Sequence, residues 1–217
     1  KVAKLIKPDY MIINGDVIDG ASISRYPPIG WEGVPTVKEE IDGAQERLNE
    51  IESASPKSKR IWTLGNHDAR FEMRLASVVP QFKGINGIHL KDHFPKWEPS
   101  YSVEINGNVM IKHRYKGGVH AAWSNVLYSG RSIVTGHLHS LQVRPFTDYN
   151  GTRFGIDGGM LGTPLGPQFT GYTEDNPLNW REGFVLLRFK DWHLRWPEVV
   201  PVVAPGVVQF RGKDMEV

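Results

Sequence analysis

The period of the hydrophobic positions changes along the chain, and the change predicts the elements. Lys1–Lys7 is a short amphipathic stretch stopped by Pro8. Tyr10–Asn14 is an unbroken apolar run ending at Gly15-Asp16, the pattern of a buried strand. After Thr36 the period becomes helical. Val37, Ile41, Ala44, Leu48 and Ile51 recur three or four residues apart and make one apolar stripe. Thr36, with Glu39 three residues on, forms a capping box, and Pro56 closes the helix. Arg60–Leu64 reads as a second strand, running into Gly65-Asn66-His67-Asp68, and a helix is predicted over Arg70–Val79. Strand, helix, strand in this order implies a right-handed crossover and a parallel sheet.

The second half is richer in strand signals. Tyr101–Ile105 and Val109–His113 flank Asn106-Gly107-Asn108, a hairpin signature. Val119–Tyr128 predicts a helix, and Ser132–Thr135 a short strand ending at Gly136-His137. Leu141–Phe146 and Thr152–Ile156 predict a hairpin across Asp148-Tyr149-Asn150-Gly151. Phe184–Phe189 and His193–Trp196 predict another across Lys190-Asp191-Trp192. The tail after Pro201 reads as extended. Trp180, Trp192 and Trp196 are expected to pack on the C-terminal strands. No linker interrupts the chain, so residues 1–217 read as one α/β domain whose C-terminal strands and tail begin near residue 183.

Charge and composition narrow the chemistry. With 26 Lys and Arg against 24 Asp and Glu, the formal charge of +2 gives no strong basic footprint for nucleic acid, although a local patch remains open. There is no cysteine, so thiolate zinc sites, iron–sulfur clusters and disulfides are excluded. Any metal must be held by His, Asp, Glu, Asn or backbone oxygen. No apolar run has the length of a membrane helix. A cytoplasmic location without a membrane partner is the expectation.

Polar residues with ligand chemistry collect where predicted strands end. They are Gly15-Asp16-Val17-Ile18-Asp19, Gly65-Asn66-His67-Asp68, His113, and Gly136-His137-Leu138-His139. In open α/β sheets the carboxyl ends of strands are where ligands bind. Each motif alone has a plainer reading as a turn, a cap or a satisfied histidine. If the last motif continues its strand, His137 and His139 share one face. Together the motifs offer a carboxylate, an amide oxygen and three imidazoles, which suits a divalent transition metal better than Ca or Mg.

These motifs resemble the signature of calcineurin-like metallophosphoesterases: Gly-Asp-x-x-Asp, Gly-Asn-His-Asp, a His at a strand end, and Gly-His-x-His. The wording around them is most similar to copies in phage and prophage genomes. The resemblance spans residues 15–139 and implies central mixed β-sheets, a β-sandwich, flanked by helices. It also implies a pair of divalent ions, with Mn, Fe or Zn as candidates. Asp16 would bridge them, with Asn66, His113 and His137 on one ion and His139 on the other. A metal-activated water would then hydrolyse a phosphate ester, with His67 as general acid and Asp19 orienting its ring. The family's first motif, Asp-x-His, has no counterpart here. Fifteen residues precede Asp16 and none is histidine. The first strand of the fold is therefore expected to be missing and the second metal site incomplete.

Substrate contacts are read more broadly. Arg70, three residues past His67, is placed to meet a phosphate oxygen as a fork of donors, or else to be a solvated helix charge. Arg25, Tyr26 and Trp31 lie in the long Gly20–Pro35 loop, where they either stack a base or sugar or pack the loop down. Tyr115 and His120 follow His113 and border the same region, while His89, His93 and His193 have no motif context. The substrate is a phosphomonoester or phosphoprotein, or alternatively a nucleotide or DNA phosphodiester as in the family's exonucleases. A non-catalytic scaffold is the competing class, motivated by the absent first motif. No oligomeric state is read from the sequence.

Overall fold

Parallel pairing organises the N-terminal part of the molecule. The computed structural model describes the chain apart from residues 28–32, 165, 167–168, 170–172, 175 and 177. Its contacts divide the chain into two units, Lys1–Tyr101 and Ser102–Val217. The architecture is α/β with mixed sheets.

In the first unit, strand β1 (Tyr10–Ile13) pairs in parallel with β2 (Lys59–Thr63), and β2 pairs in parallel with β3 (Glu98–Ser100). Helix α1 (Val2–Ile6) precedes β1. The crossover between β1 and β2 is α2 (Val37–Ala54). Thr36 and Glu39 close the capping box from both sides, so two otherwise orphaned amides are satisfied. The helical stripe does what its spacing predicts. Ile41 and Leu48 are buried with Ile18, Trp62, Leu90, Phe94 and Trp97, and Val37, Ala44 and Ile51 pack against them. Trp62 meets Phe94 edge to face with ring centroids 5.4 Å apart. Helix α3 (Asp68–Val78) begins two residues earlier than predicted, directly from the Gly-Asn-His-Asp motif.

The second unit holds a five-stranded mixed sheet, in the order β4 (Val103–Ile105), β5 (Val109–Ile111), β6 (Ser132–Thr135), β8 (Gly151–Asp157) and β7 (Gln142–Asp148). Pairs β4–β5 and β7–β8 are the two predicted antiparallel hairpins. The pairs β5–β6 and β6–β8 are parallel. Helix α4 (Ala121–Ser129) lies against β8 so closely that a Cβ on Gly155 would stand 1.8 Å from the Ala122 carbonyl oxygen. Only glycine permits that approach.

The C-terminal strands differ from expectation in three ways. The predicted 184–196 hairpin is split. β9 (Gly183–Leu186) pairs with β12 (Glu198–Ala204), while β10 (Phe189–Lys190) and β11 (His193–Leu194) form a separate two-stranded ribbon. The tail is not a plain extended segment. β12, β13 (Val207–Phe210) and β14 (Lys213–Glu216) make an antiparallel meander. Gly206 and Gly212, both at φ 73°, turn it, and Pro205-Gly206 was a legible turn signal. Third, Trp192 is not packed on the strands. It sits at the ribbon tip, 76% exposed, because Asp191 and Trp192 both take left-handed backbone there. Trp196 is exposed too, yet lays its ring against Phe154 with centroids 5.0 Å apart.

Candidate functional site

In the first unit, the motif residues leave the carboxyl ends of two neighbouring parallel strands. Gly15 and Asp16 follow β1 and both adopt positive φ, 86° and 53°. A non-glycine residue there is strained, and strain of this kind persists only where the surroundings hold it. Here Asp68 holds it. Its carboxylate, 1% exposed, accepts the amides of Asp16 (2.9 Å), Val17 (2.8 Å) and Gly65 (2.7 Å) and the indole N–H of Trp62 (3.0 Å). One side chain therefore ties the loop after β1 to the loop after β2. Burial pushes the Asp68 carboxyl above its ordinary range, against the lowering effect of the Gly65 and Val17 amides. Sequence reasoning had placed no role on Asp68. No local signal marks it, because two of its donors lie 51 and 52 residues away in sequence.

Gly65 completes the junction. A Cβ at this position would lie 2.0 Å from Asp16 Oδ1 and 2.4 Å from the Asp16 amide nitrogen. Asp16 can pack this closely only because residue 65 has no side chain. Asp16 Oδ1 also accepts the His67 amide at 2.9 Å. Asn14 is drawn into the same network, its Oδ1 accepting the Thr63 hydroxyl at 2.6 Å.

His67 stands at the start of α3 beside the loop that follows Asp16. Its Nδ1 is 2.5 Å from Asp19 Oδ1 and 3.1 Å from the Asp19 carbonyl oxygen. Arg70 closes the cluster. Its Nη1 donates to the Asp19 carbonyl (2.8 Å) and lies 3.3 Å from Asp19 Oδ1, while Nη2 is 3.3 Å from His67 Nε2. Burial opposes charging of His67, but the Asp19 hydrogen bond and the negative field of Asp16 outweigh it and the opposing Arg70 charge. The His67 pKa is therefore raised. The hydrogen bond from His67 in turn holds Asp19 below the usual carboxylate range. Arg70 is thus a member of this cluster and not a solvated helix charge.

The second unit presents its motif residues on the same plan. His113 follows β5, and His137 follows the neighbouring parallel strand β6. The amides of Gly136 and His137 both donate to the His113 carbonyl, at 2.9 and 3.2 Å. The His113 and His137 rings meet at 68° with centroids 5.2 Å apart, and His113 is 3% exposed. His137 and His139 do not lie along a strand. The His139 amide donates back to Gly136 (3.2 Å) and His139 has φ 58°, so the motif is a turn and the shared-face argument does not apply. The His139 ring packs edge-on against Trp180 with centroids 4.9 Å apart. Asp157, at the end of β8 and 1% exposed, accepts the Ser140 amide (3.2 Å), the Ser140 hydroxyl (3.0 Å) and the Gly159 amide (3.0 Å). Burial raises its pKa despite those bonds. Asp157 was also absent from the sequence-based site.

Each unit carries side chains of the kinds that ligate divalent ions. The first carries the Asp16 carboxylate and the Asn66 amide on the loops that follow β1 and β2. The second offers packed imidazoles on one loop pair, the nitrogen ligands such ions favour. Other candidates stand apart from these clusters. Arg25 donates to the Tyr26 hydroxyl (2.8 Å) and lies over its ring, so the two pair with one another. Trp31 lies outside the described residues. His89 is 2.9 Å from Glu72 Oε2, a structural contact.

Among the described residues no helix is long and apolar enough to cross a membrane. No protein-family model matches the chain. It is similar to a protein of Mycobacterium phage L5 named Gene 54 protein, 25% identical over 97% of this chain and 88% of that protein. That relative is a phage product whose name states no activity.

Proposed function

We propose that the protein is a divalent-metal-dependent phosphoesterase of the calcineurin-like kind, with His67 as its general acid. The His67–Asp19–Arg70 cluster is the observation that carries this reading. Asp19 engages Nδ1, which fixes the ring and favours its protonated form. Nε2 lies 3.3 Å from Arg70 Nη2, and it would donate to the leaving-group oxygen of a bound ester once Arg70 turns to the phosphate. The Arg70 guanidinium at 3.3 Å from Nε2 is a fork of donors suited to phosphate oxygens. A proton source and an anion-binding group thus stand together, as the departure of an alkoxide from phosphorus requires.

In this proposal Asp16 and Asn66 of the first unit and His113, His137 and His139 of the second would be the residues that hold divalent ions. Such ions, when bound, neutralise phosphate charge and make a water nucleophilic near neutral pH. Asp68 and Asp157 touch no substrate. They position the loops that carry the donors, much as outer-shell partners orient metal ligands.

The test is hydrolysis of phenyl phosphate, p-nitrophenyl phosphate and bis(p-nitrophenyl) phosphate with Mn²⁺ added. Turnover that needs the metal is expected, with His67→Gln losing about 10²–10⁴-fold. The loss should be greater for phenyl than for p-nitrophenyl phosphate, because the more basic leaving group depends more on proton donation. No hydrolysis of any of the three by metal-loaded protein would leave the non-catalytic scaffold. The ratio of monoester to diester rates then sorts the substrate class.

A further inference from the structure

The net charge conceals an uneven distribution. From Ile105 to Thr147 the chain carries Lys112, Arg114, Lys116, Arg131 and Arg144 and no Asp or Glu. This segment is therefore +5, and with a total of +2 the rest of the chain is −3. Arg131 is neutralised by Glu104 at 2.6 Å. Lys112, Arg114 and Lys116 remain clustered on the loop that leaves β5.

Aromatic rings are interleaved with those cations. The Lys112 and Lys116 ammonium groups lie 5.6 and 5.1 Å from the centre of the Tyr115 ring, and Lys116 is also 5.1 Å from the Tyr128 ring. Lys116 is thereby held between two rings and is ordered before any ligand arrives. The loop is pinned to α4 as well. The Lys116 amide donates to Asn125 Oδ1 (2.9 Å), and the fully buried Asn125 donates to the Thr135 hydroxyl oxygen (3.3 Å). Tyr115 is 42% exposed, and Tyr128, near the end of α4, is 66% exposed. Leaving two tyrosine rings in water beside two lysine ammonium groups gains nothing for the core. It matches the requirements of a flexible polyanion with flat bases: charge for phosphates and ring faces for stacking.

We propose that this face of the second unit binds single-stranded nucleic acid, with Lys112, Arg114 and Lys116 on phosphates and Tyr128 stacking a base. Binding rests on this patch alone. Because the loop contains His113, a bound strand would also be the substrate of the proposed phosphoesterase, and only that last step rests on the functional reading.

The experiment is fluorescence anisotropy of labelled oligothymidylate with the full chain in a chelator, so that no hydrolysis enters. Saturable binding is expected, weakening as salt rises. Tyr128→Ala should weaken it about tenfold with the salt slope unchanged, and Tyr128→Phe should restore it. Lys116→Gln should lower the salt slope by about 0.7, the value of one phosphate contact on a single strand. Both positions are exposed, and circular dichroism confirms that the variants are folded. Three results would overturn the proposal: no binding by the wild type, equal binding of inorganic polyphosphate that ignores Tyr128→Ala, or binding only to phosphatidylserine vesicles. Hydrolysis of p-nitrophenyl phosphate by the same variants is read separately, so loss of either proposal leaves the other measurable.

Discussion

The loops of the two units use one bracing device for different ends. In each, parallel strands release polar residues at their carboxyl ends, and a non-glycine residue is held in left-handed backbone, Asp16 in the first and His139 in the second. In each, an almost fully buried aspartate accepts loop N–H groups. The difference lies in reach and in what is displayed. Asp68 gathers four donors, two of them from a loop 51 and 52 residues distant in sequence, and stabilises a cluster that can hold a proton. Asp157 takes two amides and one hydroxyl, and the nearby loop presents packed imidazoles. The proposed proton transfer would need a ring that substrate can reach, and His67 is partly exposed. The proposed ligation would need rings fixed by their surroundings, and His113 is buried.

Variants in each loop test that division. The largest effect is expected from His113→Ala with His137→Ala, which should abolish metal-dependent turnover and lower the metal content measured by elemental analysis. His67→Gln should retain the metal content while losing about 10²–10⁴-fold in turnover. Equal metal loss in both variants would break the comparison. Asp68→Ala leaves several buried donors unsatisfied, each worth about 1–3 kcal/mol. A loss of about 3 kcal/mol or more in urea unfolding is expected. Asp157→Ala, with fewer donors, should cost about 2 kcal/mol. The reverse order would show that reach across the chain is not what makes Asp68 important.

The smallest effect is a pH shift. His67 has a raised pKa, so its acid form is populated below that value and turnover should fall as pH rises through it. Asp19→Asn removes a raising contribution, so the falling limb should move to lower pH. The same linkage acts on stability. The His67 contribution is fully present below its ordinary pKa of 6.5 and lost as pH rises through the higher folded value. A profile that ignores Asp19→Asn would remove His67 as the titrating group.

Much of this molecule was legible residue by residue. The Thr36 capping box, the α2 stripe, the crossover from β1 to β2 and the hairpins at Asn106–Asn108 and Tyr149–Asn150 all depend on neighbours in sequence. Period, cap and turn chemistry are local, so a single chain displays them. The position of His67 and Asp19 after strand ends was legible for the same reason.

Tertiary structure decided the rest. A carboxylate three residues after a glycine has no signature that says it will be buried with four donors, because those donors come from segments far apart. Asp68 and Asp157 became visible as braces only once the loops were folded around them. The split of the 184–196 hairpin has the same cause. β9 can pair with β10 nearby or with β12 beyond it, and strand pairing is chosen by which surface is buried, not by the order of turns. Trp192 shows the converse: an aromatic side chain predicts burial, yet the left-handed turn at residues 191 and 192 carries it into water. Local sequence determined the elements and the chemistry at their ends; long-range hydrogen bonding and burial decided which of those residues come together and which hold the others in place.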